Sequence, residues 1–255
     1  MLNLAIMLRA FRLLPLALAL VSGPAAAGTC RDLEEDGAPY TLCDVDARAD
    51  SIRLFLKDEQ GVVYGGFSAL GAALERKGET LAFAMNGGMY DDNRLPIGLY
   101  VENGETLHAA NTRAGAGNFH MKPNGVFWVE AGRAGVAETG RFLSSRRRPL
   151  LATQSGPMLV SGGRINPHIH DSGLSEKIRN GVCVTEGRFV HFLISNRPVT
   201  FHAFAHLFKD RLGCADALFL DGSISALYAP QIARHDRFRP LGPIIGVVEK
   251  KVETK

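Results

Sequence analysis

Few of the features that announce a function readily are present in this chain. Its 255 residues hold one tryptophan and four cysteines, Cys30, Cys43, Cys183 and Cys214. No Cys-x-x-Cys pair and no His/Cys cluster has zinc-site spacing. The alternating His168 and His170 lack a third ligand nearby. The phosphate-cradling loop G-x-x-x-x-G-K-[ST] and the dinucleotide turn G-x-G-x-x-G are both missing. Ser223 lies in Gly-Ser-Ile-Ser-Ala, without the closing glycine of a nucleophile elbow. Charge of one sign is not in excess: 29 Lys and Arg against 26 Asp and Glu leave a formal +3. That balance gives no basic surface of the kind a nucleic acid requires. The run Arg146-Arg147-Arg148-Pro149 reads as a solvated turn. No apolar run reaches the roughly 20 residues of a membrane-spanning helix.

What is there begins with an export pattern. Arg9 and Arg12 precede an apolar run over residues 13–21, and small residues follow to Ala25 and Ala27. These are the three parts of a secretory signal. Cleavage is expected after Ala27, leaving residues 28–255 as a single domain with no stable membrane span. The expected location is periplasmic or secreted. In an oxidising compartment disulfides are expected. Cys30 and Cys43 are the expected pair; Cys183 and Cys214 either pair or stand as two buried thiols.

Apolar runs bounded by glycine and polar residues recur at 51–56, 81–85, 98–101, 125–129, 158–160, 182–185, 189–195, 217–220 and 244–248. They read as strands. Hairpin turns are expected in "VENGETL", "VEAGRAG", "VSGGRI" and "VTEGRFV". Two helices are expected. One spans 68–78, with Ser68 as cap and Gly78 as stop. The other spans 200–212, with Thr200 as cap and Gly213 as stop. With strands 189–195 and 217–221 the second makes a β-α-β unit. The fold class is therefore α+β: a mixed, mainly antiparallel sheet with a few packed helices.

Polar residues collect at the ends of these runs. Asn86-Gly87-Gly88 follows a strand, and its glycines permit close ligand approach. His120 and Lys122 precede a Pro-Asn-Gly turn, either as an acid or base and an anion contact or simply as residues of a solvated loop. Thr153, Gln154, Ser155 and Gly156 precede an apolar run; their side chains either line a site or satisfy loop backbone. Arg179 and Asn180 stand before a strand; arginine can grip phosphate in bidentate fashion, and taken by itself Arg179 reads as an exposed cation at a strand end. The run ending at Asp221 continues into Gly222, Ser223 and Ser225. Asp91 and Asp92 read first as a solvated loop and second as candidates for a further carboxylate.

Taken in order, "MNGGMY…PIGLYVENG", "FHMKPNGVFWV", "ATQSGPMLVSGG", "RNGVCV", "FLISNRPVTFHAFAHLF" and "ALFLDGSISALY" resemble the phosphodiester glycosidase family, most closely its bacterial branch. The resemblance runs from about Ala82 to Tyr228. It implies a hydrolase that cleaves a sugar-1-phosphodiester at the anomeric carbon, releasing the sugar and a phosphate monoester. It implies Asp221 and Arg179 as catalytic residues. Asn86, Gly87, Gly88, Lys122, Ser155, Gly156, Asn180, Gly222 and Ser223 are the implied substrate contacts. The implied partner is a glycan or sugar phosphate, with no nucleic acid. No cofactor is required; a divalent cation near Asp221 is compatible with the chemistry, and no ligand spacing demands one. The alternative reading is a non-catalytic periplasmic protein that binds carbohydrate or phosphoglycan. Here Ile224 interrupts the family's glycine-rich run after the aspartate, and Asn180 replaces a small hydroxyl residue.

Overall fold

The computed structural model describes residues 28–221, 224–237 and 239–251. The expected signal, residues 1–27, lies outside them, as do Gly222 and Ser223. The chain begins with strands β1 (Thr29–Glu35), β2 (Ala38–Asp46) and β3 (Ser51–Phe55), then helix α1 (Phe67–Glu75) and β4 (Glu79–Asn86). Two hairpins follow, β5 (Tyr100–Glu102) with β6 (Glu105–His108), and β7 (Gly125–Glu130) with β8 (Arg133–Glu138). Short helix α2 (Thr139–Ser144) leads to β9 (Leu151–Ser155), β10 (Met158–Ser161) and β11 (Arg164–Ile165). Then come β12 (Asn180–Thr185), β13 (Phe189–Ser195) and α3 (Phe201–His206). The chain closes with β14 (Ala217–Asp221), β15 (Leu227–Ala229), β16 (Arg234–His235) and β17 (Ile244–Lys250).

The strands form three sheets, ordered β1-β2-β13-β12-β14-β10-β11, β16-β15-β4-β17-β3 and β6-β5-β9-β7-β8. Their inner faces meet in one core, where each sheet contributes a phenylalanine. Phe192 of β13 packs at 5.2 Å from Phe83 of β4 and 5.7 Å from Phe127 of β7. The outer face of each sheet is covered by one helix, α3 on the first, α1 on the second and α2 on the third, with Phe204, Leu70 and Phe142 turned inward. Central strands are thus buried on both faces. Along β7, Val126 and Trp128 enter the α2 side while Phe127 and Val129 enter the shared core. The side-chain period of two separates these neighbours, and the strand reads as a continuous apolar run.

The fold class stands as α+β and mainly antiparallel, and every ladder between the described strands is antiparallel. All four hairpins form. Asn103-Gly104 takes positive φ, as its two-residue turn requires, and Glu186-Gly187 does so within a three-residue loop. The β-α-β unit is present with β12 between β13 and β14. Both disulfides are present, Cys30–Cys43 and Cys183–Cys214, which decides the open second pair. Such bonds persist in oxidising compartments. No helix among the described residues is long and apolar enough to cross a membrane.

Several local expectations need correction. Ser68 does not cap α1; Gly66 holds that position and offers no side chain. The helix after Thr200 changes to a π turn over Leu207–Arg211. Residues 29–46, not expected as strands, form β1 and β2 around an Asp36-Gly37 turn. Arg147 is no solvated turn residue. Its guanidinium lies 4.0 Å over the Trp128 ring and pairs with Glu130 at 3.2 Å. Thr153 to Ser155 belong not to a loop but to β9, the buried central strand of the third sheet.

Candidate active site

The ends of β4, β9, β12 and β14 come together, and their polar residues bond to one another. Asn180 opens β12 opposite Asp221 at the end of β14, where the register shifts by a bulge. The Asn180 amide nitrogen donates to Asn86 Oδ1 at 3.0 Å and to the Asn86 carbonyl at 3.3 Å. Its Oδ1 accepts from the Asp221 backbone N–H at 3.3 Å and from the Ser225 hydroxyl at 3.2 Å. Asn86 Oδ1 also accepts from the Ala226 N–H at 2.8 Å. Ser155 donates to the Leu220 carbonyl at 2.6 Å, one residue before Asp221. Four segments distant in sequence are thereby fixed around one carboxylate. Asn86, Ser155 and Asn180 are fully buried; hydrogen bonds offset that cost for Ser155 and Asn180, while Asn86 Nδ2 has no hydrogen-bond partner among the described residues. Ser225 serves this network from behind.

Glycine is required where the turns approach β9. A Cβ on Gly88 would lie 2.3 Å from Thr153 Oγ1 and 2.5 Å from the Gln154 carbonyl. Thr153 Oγ1 accepts from the Gly88 N–H at 3.2 Å, so the close approach is also bonded. Gly87 packs against Pro243, and its N–H donates to the Pro243 carbonyl at 2.7 Å. A Cβ on Gly156 would meet Asn124 Cβ at 2.8 Å and the Phe119 carbonyl at 2.9 Å. Gln154 holds two loops: its Oε1 accepts from the Leu99 and Asn111 N–H groups, each at 2.9 Å.

Asp221, 7% exposed, lines a cleft of about 470 Å³ with Met89, Tyr90, Arg94, Asn118 and Ile224. The Tyr90 hydroxyl is pushed up to about 12, first by burial and then by the Asp221 charge, so Tyr90 remains protonated at neutral pH. It donates to the Pro240 carbonyl at 3.3 Å. Asp91 also lines the cleft, but its Oδ1 accepts from the Asn93 and Leu95 N–H groups at 2.9 Å each. That carboxylate closes its own turn. Asp92 is exposed on the cleft.

The two cations nominated by sequence stand elsewhere. Arg179 is 1% exposed; its Nε donates to the Val199 carbonyl at 2.9 Å and its Nη2 to the Ser175 carbonyl at 2.7 Å. The guanidinium lies 3.6 Å over the Phe201 ring and 5.7 Å from that of Phe219, two residues before Asp221. Burial pulls it down to about 10, which leaves it charged at pH 7. Lys122 is exposed and does not line the cleft. His120 bonds the Arg113 carbonyl at 3.0 Å through Nδ1, pinning a loop. Among the described residues that line the cleft the cation is Arg94, which the sequence did not single out. In "YDDNRLP" it reads as part of a solvated loop; the structure shows it closing the Asp91 turn at φ 63°. Residues held at positive φ collect at functional sites. No cluster of three or more His, Cys, Asp or Glu suited to a metal ion occurs among the described residues.

The family model for phosphodiester glycosidases matches residues 79–248, from the start of β4 into β17, and so spans the whole cleft network. The chain belongs to the phosphodiester glycosidase family. The uncharacterized protein YigE of Escherichia coli (strain K12) is 38% identical over 184 residues, 72% of either chain. The fold is shared with the catalytic domain of zebrafish N-acetylglucosamine-1-phosphodiester alpha-N-acetylglucosaminidase, auto-inhibited in that structure by its pro-peptide. That match has a TM-score of 0.59 at 14% identity, covering 89% of this chain and 84% of the other. A hypothetical protein from Synechocystis gives 0.53 at 14% identity, covering 87% and 61%. Family membership points to phosphodiester glycosidase chemistry in general and to a glycan-type substrate.

Proposed function

We propose that the protein is an exported hydrolase that cleaves a sugar-1-phosphodiester at the anomeric carbon. The observation that carries the reading is Asp221: a carboxylate at a strand end, on a cleft wall, fixed through Asn180 to Asn86. In the reaction water adds to C1 and the C1–O bond breaks with its electrons on the phosphate oxygen. A phosphate monoester leaves, needing little proton donation. Asp221 takes the water's proton, or attacks C1 first and is then released by water. The site must also offset charge on the phosphate. Arg94 does so from the cleft, and the buried Arg179 contributes its charge through the protein without contact. Gly222 and Ser223 stay in the reading as substrate contacts on the strength of the motif alone, and Lys122, which does not line the cleft, drops out of it.

Export is supported by the leader pattern, the two disulfides and Gly28. Gly28 is buried, and its backbone hydrogen-bonds the Asp50 carboxylate. Cleavage after Ala27 would place an α-ammonium beside that carboxylate. The intact mass of exported protein checks this: retention of residues 1–27 would sink it.

The activity test is release of sugar from a nitrophenyl sugar phosphodiester. Asp221→Asn is expected to lower kcat by about 10²–10⁴-fold with an unchanged circular dichroism spectrum. Wild-type turnover by that variant would refute the assignment. Ligand binding without any release would favour a non-catalytic glycan-binding protein.

A further inference from the structure

Pro240, on the rim of the Asp221 cleft, also lines a second depression of about 380 Å³. Residues 65–69 at the start of α1 form one side of it. His235, Asp236, Arg237 and Arg239 form the other. The one carboxylate here is already engaged. Asp236 accepts from Arg234 at 2.9–3.3 Å and from the Leu227 N–H at 3.0 Å. Arg237 donates one N–H to His235 Nδ1 at 2.8 Å. Burial and the Arg237 charge hold this imidazole below its ordinary value. Arg239 is exposed and has no side-chain partner among the described residues. The first turn of α1 contains no acid. The depression beside the cleft therefore carries net positive charge with no internal carboxylate left to balance it.

We propose that the substrate's aglycone is itself anionic. It carries a further phosphate or carboxylate beyond the scissile phosphate, and that group seats on Arg239 and Arg237. The inference rests on the hydrolase reading and narrows it. The geometry is a track, with Asp221 and Arg94 in the first depression, Pro240 as the shared rim, and two guanidiniums in the second.

The experiment compares three sugar-1-phosphodiesters, with aglycones of glycerol, glycerol bearing a second phosphate, and a uronate. Wild-type kcat/KM is expected to favour an anionic aglycone by about ten-fold, the scale of one or two exposed charge contacts. The ratio should fall towards one in Arg237→Ala/Arg239→Ala, and also in about 1 M salt, where the screening length is about 3 Å. The phosphate and uronate arms identify which anion the track takes. Arg239→Ala alone removes an exposed side chain with no hydrogen-bond or ion-pair partner among the described residues, so a lost preference there, with an unchanged thermal melt, does not come from misfolding. Equal wild-type rates on all three compounds, or a preference that survives in the double variant, would overturn the inference and leave the hydrolase reading intact. If no compound is turned over, calorimetric titration of the two anionic compounds decides. Binding that disappears in the double variant upholds the track while removing the hydrolase reading; absence of binding removes both.

Discussion

Replacing Asn180 by alanine tests how the carboxylate is held. The side chain is fully buried and makes four hydrogen bonds of 3.0–3.3 Å. Two of the partners keep another bond. Ser225 still donates to the Ile178 carbonyl at 3.0 Å, and Asn86 Oδ1 still accepts from Ala226 at 2.8 Å. The Asp221 N–H and the Asn86 carbonyl lose the bond that Asn180 gives them. At about 1–1.5 kcal/mol for each bond, plus a small cavity term, the cost is about 3 kcal/mol. For a domain of this size each kcal/mol lowers Tm by about 2–4 °C, so a fall of about 6–12 °C is expected in a thermal melt. Asp221 would also lose its fixed position, and kcat should fall by about 10–100-fold at 20 °C, where the variant is still folded. A Tm within about 1 °C of wild type together with unchanged kcat would refute the claim that this network positions Asp221.

Three further outcomes follow from the same structure. Gly88→Ala forces a Cβ to 2.3 Å from Thr153 Oγ1 and should cost about 1–3 kcal/mol, whereas Gly71→Ala, in α1 with nothing within 4 Å, should raise stability by about 0.5–1 kcal/mol; chemical denaturation reads both. Removing the Cys183–Cys214 bond, which closes a separation of 31 residues, should cost about 3–4 kcal/mol in the chain-entropy account, measured as a lower denaturant midpoint for the double serine variant. The Asp46 carboxylate is lowered from 3.8 to about 2, chiefly by the Arg188 hydrogen bond. Its contribution is therefore present above pH 3.8 and lost as pH falls through about 2. Arg188→Ala should begin to lose structure at higher pH in an acid titration, and an unshifted acid transition would show that the pair contributes nothing.

The strands that were legible are those whose two faces both enter a core. Phe127 and its neighbours on β7, and Phe192 on β13, sit in continuous apolar runs, and local pattern suffices for them. β9 was illegible because Thr153, Gln154 and Ser155 are polar. They are nevertheless fully buried, since each bonds a loop or strand arriving from elsewhere in the chain. Arg94 escaped notice for the opposite reason: its segment reads as a solvated loop, and only the fold sets it beside Asp221.

By itself the sequence determined the α+β class, the hairpins, the first disulfide and the family, because these follow from side-chain period, turn chemistry, cysteine placement and the order of motifs. It also placed Asp221 at the end of a strand. Tertiary structure alone decided which residues surround that carboxylate. Asn86 and Asn180 are 94 positions apart and share a hydrogen bond. Arg179, the sequence's choice for contact with phosphate, is turned onto Phe201 and backbone carbonyls, while Arg94 and Tyr90 reach the cleft. The physical reason is that a side chain's direction depends on register and on which face of a sheet it occupies. Both are fixed by the packing of three sheets on one core, and neither is written in the residues around it.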